Sequence, residues 1–284
     1  MSRSLVVAVT GANGQLGRDV LHALKLRGIT GIGLTRTEMD IVDQAQVMHT
    51  LVPLKPDVII HTAAYTQVDQ AESERDLAYQ VNAYGARNVA CAAAAIDAKL
   101  IHISTDYVFD GRANKPYDEF TPVRPVNVYG ASKHAGEELV MQCHRKTFLI
   151  RTSWVYGHHG HNFVKTMLRL AKSQSELKVV HDQIGCPTYT MDLAERLVDL
   201  LFTECYGVYH ITNAGSCSWY EFACAIMEEK GLQVKVRSVP TSQFPRPARR
   251  PSYSVLEGMA LRLQGFAPLR PWREALREML ASTI

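Results

Sequence analysis

Apolar runs of strand length recur along this chain, each followed by a stretch in which apolar residues return every three or four positions. Leu5-Val6-Val7-Ala8-Val9 opens the pattern, and runs over residues 29–34, 58–63, 100–105 and 148–155 continue it. Unbroken runs rich in Val and Ile suit strands covered on both faces. Leu16, Val20 and Leu24 then share one face of a helix that closes at Gly28, residues 78–95 form an alanine-rich helix, and residues 132–143 form another. This alternation predicts an α/β fold: a Rossmann-like doubly wound parallel sheet with helices on both faces and ligands in the crevice at the carboxyl ends of the strands.

After residue 157 the rhythm changes. Helical segments over residues 163–173, 192–203, 219–230 and 272–281 mix with isolated strands over 208–211 and 234–239. The expected organisation is a main domain over residues 1–157 and, over 158–284, mainly a smaller C-terminal α/β substrate lobe, some of whose segments return to the main domain. Without a repeat or low-complexity linker between them, the halves should pack directly, and their cleft is the natural substrate site.

Composition narrows the function classes. The 284 residues can bury a large core. A net charge of +3 spread along the chain gives no basic, aromatic-interleaved cluster, so a nucleic-acid partner is not expected. Arg246-Pro247-Ala248-Arg249-Arg250-Pro251 is the local exception, suited to an anionic small molecule. No apolar stretch has membrane length and the N-terminus enters a strand directly, which leaves no room for a signal peptide; the expectation is a cytoplasmic protein with no membrane partner. Six cysteines (91, 143, 186, 205, 217 and 224) show no CxxC pair and read as reduced and structural. His158, His159 and His161 sit in a glycine loop that aims them in different directions with no carboxylate at ligand spacing, so no metal site is predicted.

The chemistry gathers in three places. Gly11-Ala12-Asn13-Gly14-Gln15-Leu16-Gly17 lies between a strand and a helix, where glycine permits a tight turn and the helix N-terminus can meet a pyrophosphate. Tyr129 and Lys133 lie four apart on one helical face; an ammonium beside a phenol stabilises phenolate and makes the pair an acid–base candidate. Ser104-Thr105-Asp106 closes a strand at the cleft edge, and Thr105 is preferred to Ser104 as the hydroxyl that holds a substrate carbonyl. Thr35-Arg36-Thr37-Glu38 lacks an acid directly at the strand end, while Arg36 suits a 2′-phosphate, which favours NADPH over NADH.

These motifs, with Ala63-Ala64-Tyr65-Thr66, Val68-Asp69, Ala71-Glu72, Tyr107-Val108-Phe109, Arg151-Thr152-Ser153-Trp154, Asn162-Phe163-Val164-Lys165-Thr166-Met167, Asp182-Gln183-Ile184-Gly185-Cys186-Pro187-Thr188 and Ala248-Arg249-Arg250-Pro251, resemble the extended short-chain dehydrogenases/reductases. Within them the chain is similar, over nearly its whole length, to the dTDP-4-dehydrorhamnose reductase family. The resemblance implies that NAD(P)H delivers hydride to the C4 ketone of dTDP-4-dehydro-6-deoxy-L-mannose. Tyr129 would be the proton donor, Lys133 would lower its pKa and hold the nicotinamide ribose, and Thr105 would bond the developing alkoxide.

The resemblance also implies a cofactor site: Gly14, Gln15 and Leu16 at the pyrophosphate beside Gly11 and Asn13, Asp40 and Ile41 at the adenine, and Ala63, Ala64, Tyr65 and Thr66 along the ribose and phosphates, with Tyr129 and Lys133 completing the set. Relatives of this kind accept NADH as well as NADPH. For the dTDP-sugar it implies Ser104, Thr105, Asp106 and Trp154, the last offering an apolar face to the deoxyhexose or serving only as a core side chain. Arg249 or Arg250 suits the diphosphate, without a choice between them, and Asp182 and Gln183 matter through their turn at the cleft. A magnesium ion at a homodimer contact stays open. Two other readings keep the cofactor half: a reductase or epimerase of another nucleotide sugar, told apart by the ketosugar consumed, and a non-catalytic partner like the regulatory subunit of methionine adenosyltransferase, which the intact Thr105, Tyr129 and Lys133 disfavour.

Overall fold

Residues 5–282 are described by a computed structural model. Along the chain, β1 (Val6–Thr10) leads to α1 (Gln15–Leu26) and β2 (Thr30–Leu34) to α2 (Gln44–Leu54). β3 (Val58–His61) leads to a long helix made of α3 (Arg75–Tyr79), a π turn (Gln80–Gly85) and α4 (Ala86–Ala95). β4 (Lys99–Thr105), α5 (Val128–Cys143) and β5 (Thr147–Thr152) follow. The second half holds β6 (Val155–Tyr156), α6 (Phe163–Ala171), β7 (Glu176–Val180), β8 (Ile184–Gly185), β9 (Thr188–Tyr189), α7 (Thr190–Leu200) and β10 (Gly207–His210). β11 (Cys217–Ser218), α8 (Trp219–Glu229), β12 (Lys235–Val239), α9 (Met259–Leu263) and α10 (Trp272–Ala281) complete it.

Six strands pair in the order β10-β5-β4-β3-β1-β2, all parallel. Their alternate residues face opposite cores, as a two-residue period requires. Val7, Val9, Val58, Ile60 and Ile101 join a cluster with α1 and α7, whereas Ala8, Ile59 and Leu100 join one with α2, α4 and α5. Helices on both faces explain why apolar residues occupy consecutive positions in these strands. A separate cluster around Phe222, Tyr156, Met167 and Leu276 builds the core of the second half, and Met191 packs against both this cluster and the α1–α7 one.

The structure departs from the sequence expectation at three places that shape the site. The helix expected from residue 78 starts at Arg75 and widens into a π turn, where buried Asn82 accepts from Tyr65 N (2.8 Å) and donates to Tyr65 O (3.0 Å) and Ser132 Oγ (3.0 Å). The strand expected over 148–155 stops at Thr152, because Trp154 turns the chain at φ 47° before β6 resumes beside β9. The helix expected near Ser132 starts at Val128, where Asn127 Oδ1 accepts from Gly130 N at 2.7 Å and Glu72 Oε1 accepts from Val128 N at 2.9 Å. Tyr129 therefore belongs to the first turn of α5.

Candidate functional site

The carboxyl ends of β1, β2, β3, β4 and β5 open into one cavity of about 850 Å³. Parallel strands with crossovers on both faces leave such a crevice where their connections diverge. Gly11 makes the floor possible: it turns the chain at φ 66°, and a Cβ there would lie 2.7 Å from Ala63 N, so a side chain would push β1 and β3 apart. The chain then enters α1 at Gly14, and no side chain caps that helix among the described residues. Its first N–H groups are left for an anion, which fits a pyrophosphate. Asn13, Gly14, Gln15 and Leu16 line this wall. Gln15 spans the cleft, donating to Val155 O (3.1 Å) and accepting from Asn162 Nδ2 (2.7 Å).

Arg36, Asp40 and Ile41 form the far rim. The Arg36 side chain is 78% exposed and its Nε lies 3.1 Å from Asp40 Oδ2, so its charge stands at the cavity mouth, held loosely enough to meet a phosphate. Ala63, Ala64, Tyr65 and Thr66 line the adjoining edge, with Tyr65 fixed by the Asn82 bonds above.

Thr105, Asp106, Tyr107, Tyr129 and Lys133 converge at the other end. Thr105 Oγ1 donates to Asp106 Oδ1 at 3.0 Å and accepts from Tyr107 N at 3.2 Å. Burial pushes the Tyr129 phenol up to about 12, with the Thr105 hydroxyl acting in the opposite direction. Lys133 Nζ donates to Ile103 O at 2.6 Å, and burial brings its pKa down to about 8 against the pull of Glu137. In this arrangement Lys133 is not among the groups that set the Tyr129 pKa, which rises where the spacing alone suggested a fall. Burial likewise lifts Asp106 to about 7. Asp106 also bonds Ser254, while Thr152 Oγ1, buried at the cavity wall, has no hydrogen-bond partner among the described residues.

Trp154 lines the same cavity with its indole stacked on Trp219, ring centroids 3.5 Å apart. Gly185 lies against the indole, and a Cβ there would come within 2.5 Å of the ring. It lines the cavity while also packing against the core of the second half.

Other expected residues sit differently. Ser104 reaches the cavity wall, but its hydroxyl donates to Glu137 Oε1 at 2.5 Å. Arg249 is exposed and lies outside the cavity, offering its carbonyl to Asn127 Nδ2 at 2.7 Å. Arg250 also stands outside, forking onto Asp69 and bonding the Tyr107 hydroxyl. Its contribution is to brace Tyr107, which packs edge-on against Tyr129 at 5.7 Å. Asp182 and Gln183 bind Thr241 and pin the end of β12. His161 lines the cavity, His159 faces Asp19 at 3.7 Å and His158 meets Ser282 at 3.1 Å. Among the described residues, no three His, Cys, Asp or Glu side chains gather as metal ligands. No described helix is long and apolar enough to cross a membrane.

Sequence reasoning gave no role to Tyr107, Thr152 and Trp219. The first two lie inside motifs already singled out, at the ends of β4 and β5. Trp219 opens α8 behind a Ser218–Glu221 capping box, a helix-start signal that says nothing of which cavity the side chain meets.

The RmlD substrate binding domain family matches residues 5–284. The chain is 50% identical over 274 residues to the spore coat polysaccharide biosynthesis protein SpsK of Bacillus subtilis, covering 96% of each. It is 42% identical over 282 residues to the dTDP-4-dehydrorhamnose reductase of Mycolicibacterium smegmatis, covering 98% of this chain and 86% of that one. It superposes with a TM-score of 0.97 on the crystal structure of a dTDP-4-dehydrorhamnose reductase from Bacillus anthracis in complex with NADP, at 48% identity over 99% of this chain and all of that one (100%).

Proposed function

The chain belongs to the RmlD substrate binding domain family, and from that premise we propose that it reduces the C4 ketone of dTDP-4-dehydro-6-deoxy-L-mannose (dTDP-4-dehydro-L-rhamnose) with NADPH, giving dTDP-L-rhamnose in the final step of its synthesis. The observation that carries this reading is the convergence of Thr105, Tyr129 and Lys133 in one cavity with the uncapped start of α1. The reduced nicotinamide supplies the hydride when bound.

The chain's own groups handle the oxygen. A phenol with a pKa near 12 keeps its proton at neutral pH, and an alkoxide is more basic still, so Tyr129 is suited to protonate O4 as charge develops there. Thr105 stands beside Tyr129, where its hydroxyl works against the effect of burial and so favours release of the phenolic proton. Lys133, fixed on the Ile103 carbonyl at the cavity wall, is placed to hold the nicotinamide ribose. Trp154 and Trp219, stacked together and both lining the cavity, give the deoxyhexose an apolar wall. Arg36 at the rim is the group that distinguishes NADPH from NADH through the 2′-phosphate.

NADPH and NADH oxidation, followed by near-ultraviolet absorbance, tests the reading with dTDP-4-dehydro-L-rhamnose generated in situ and a UDP-4-ketosugar as control. Oxidation with the dTDP-sugar alone, faster with NADPH, is expected. Turnover of the UDP-sugar alone would reassign the enzyme to another nucleotide sugar, and tight cofactor binding without any oxidation would favour a regulatory partner.

A further inference from the structure

Two thiols outside the cavity meet across a helix interface. Cys91 on α4 and Cys143, the last residue of α5, bring their Sγ atoms to 3.7 Å in a thiol–thiol hydrogen bond, and both side chains are partly exposed. Cys186 and Cys217, by contrast, are sealed at 1% and 5% exposure. Two sulfurs at this distance need only small side-chain rotations to bond, and partial exposure admits a small reagent.

We infer that Cys91 and Cys143 form a dithiol site that reacts with low-molecular-weight aliphatic disulfides and closes into an intrachain disulfide between α4 and α5. The thiolate of Cys91 attacks one sulfur of the reagent, the reagent's S–S bond breaks, and one thiolate leaves. Cys143 then gives its proton to solvent and attacks Cys91 Sγ, expelling the second reagent thiolate. Both protein sulfurs are oxidised, the reagent disulfide is reduced to two thiols, and no other oxidant is needed. Burial and the bond to Cys91 hold the Cys143 thiol above its ordinary range, which fits its place as the resolving partner. Arg87, one turn before Cys91 on α4, works in the opposite direction on the same thiol and favours its ionisation in the second step.

The bridge would lie far from the reacting groups. Cys143 is fourteen residues beyond Tyr129 on one helix, about 21 Å at the usual rise per residue. It would tie α5 to α4 at the end opposite the cavity.

The test treats the full-length protein with oxidised glutathione and reads intact mass, free thiols under denaturing conditions, and a peptide map. The wild type should lose two hydrogens and two of its six thiols, with the peptides of residues 91 and 143 joined. The Cys91→Ser and Cys143→Ser variants should each form no crosslink, and Cys143→Ser should keep a glutathione adduct on Cys91 that the wild type resolves. The crosslinked wild type should retain turnover within about twofold. A persistent glutathione adduct on the wild type, a bridge between other cysteines, or unchanged thiols would each overturn the site. Loss of turnover on crosslinking would overturn its remoteness from the cavity.

Discussion

Tyr129 enters the reaction as a phenol and not as a phenolate, because burial lifts its pKa to about 12. Tyr129→Phe keeps the ring, its edge-on contact with Tyr107 and the fold while removing the proton. It should bind NADPH normally and lose turnover by a factor on the order of a hundred or more, read by cofactor titration alongside steady-state kinetics. Trp154 depends on a smaller feature. Its indole packs against Trp219 and against Gly185, where a methyl group would land 2.5 Å from the ring. Gly185→Ala should displace the indole and lower kcat/KM for the sugar nucleotide by on the order of ten- to a hundredfold, with the NADPH dissociation constant unchanged. Equal losses for both ligands would remove Trp154 from the sugar side. At this scale the sequence was legible wherever chemistry comes in spaced motifs: Thr105, Tyr129 and Lys133 meet because a strand end and a helix start are adjacent in one sheet. Arg250 illustrates what was not legible. Its charge suits a diphosphate, but Asp69, far away in sequence, claims its guanidinium, and only the folded chain shows that meeting.

The elements that carry the site are held by a buried ion pair that no local pattern reveals. Glu137, one turn beyond Lys133 on α5, meets Arg151 on β5 through Arg151 Nε (2.9 Å) and Nη2 (2.8 Å) and accepts from Ser104 on β4. Burial alone would raise the Glu137 pKa, but His134, Arg151 and Ser104 together hold it at about 2. Glu137→Gln leaves a buried guanidinium without its counter-charge and should cost about 3 kcal/mol or more of stability at neutral pH, measured by urea unfolding. Because the carboxyl is depressed from 4.5 in the unfolded chain to about 2 in the fold, its contribution is complete above pH 4.5 and fades as pH falls through 2. The gap between wild type and variant should therefore narrow across that window and stay constant above it. Element boundaries were legible where periodicity is strong, as in α1 and β1. They failed where a side chain makes a local exception: Asn82 stabilises a π turn by gripping Tyr65, and Trp154 ends β5 in a left-handed conformation that an apolar run does not announce.

Over the whole molecule, segments beyond residue 157 share the core of the main sheet. Leu193, Leu197 and Val198 of α7 pack in one cluster with Val7, Val20 and Leu24, and Tyr209 of β10 packs there with Phe148. β10 is the sheet's outer strand beside β5, paired from Gly207–Phe148 to His210–Arg151. A fragment of residues 1–157 would expose the β5 edge and strip α7 from α1, leaving large apolar side chains in water at roughly 1.5–3 kcal/mol each. Several such losses exceed the 5–15 kcal/mol by which a domain is ordinarily stable. That fragment should show no cooperative urea transition by circular dichroism and no saturable NADPH binding, even though it carries the glycine turn, Thr105, Tyr129 and Lys133. A cooperative, cofactor-binding fragment would mean that α7 and β10 are accessory to a self-sufficient nucleotide domain. The expected failure places cofactor binding in the whole sheet, because the second half of the chain supplies the strand and helix that hold α1 and β5 where the cavity needs them.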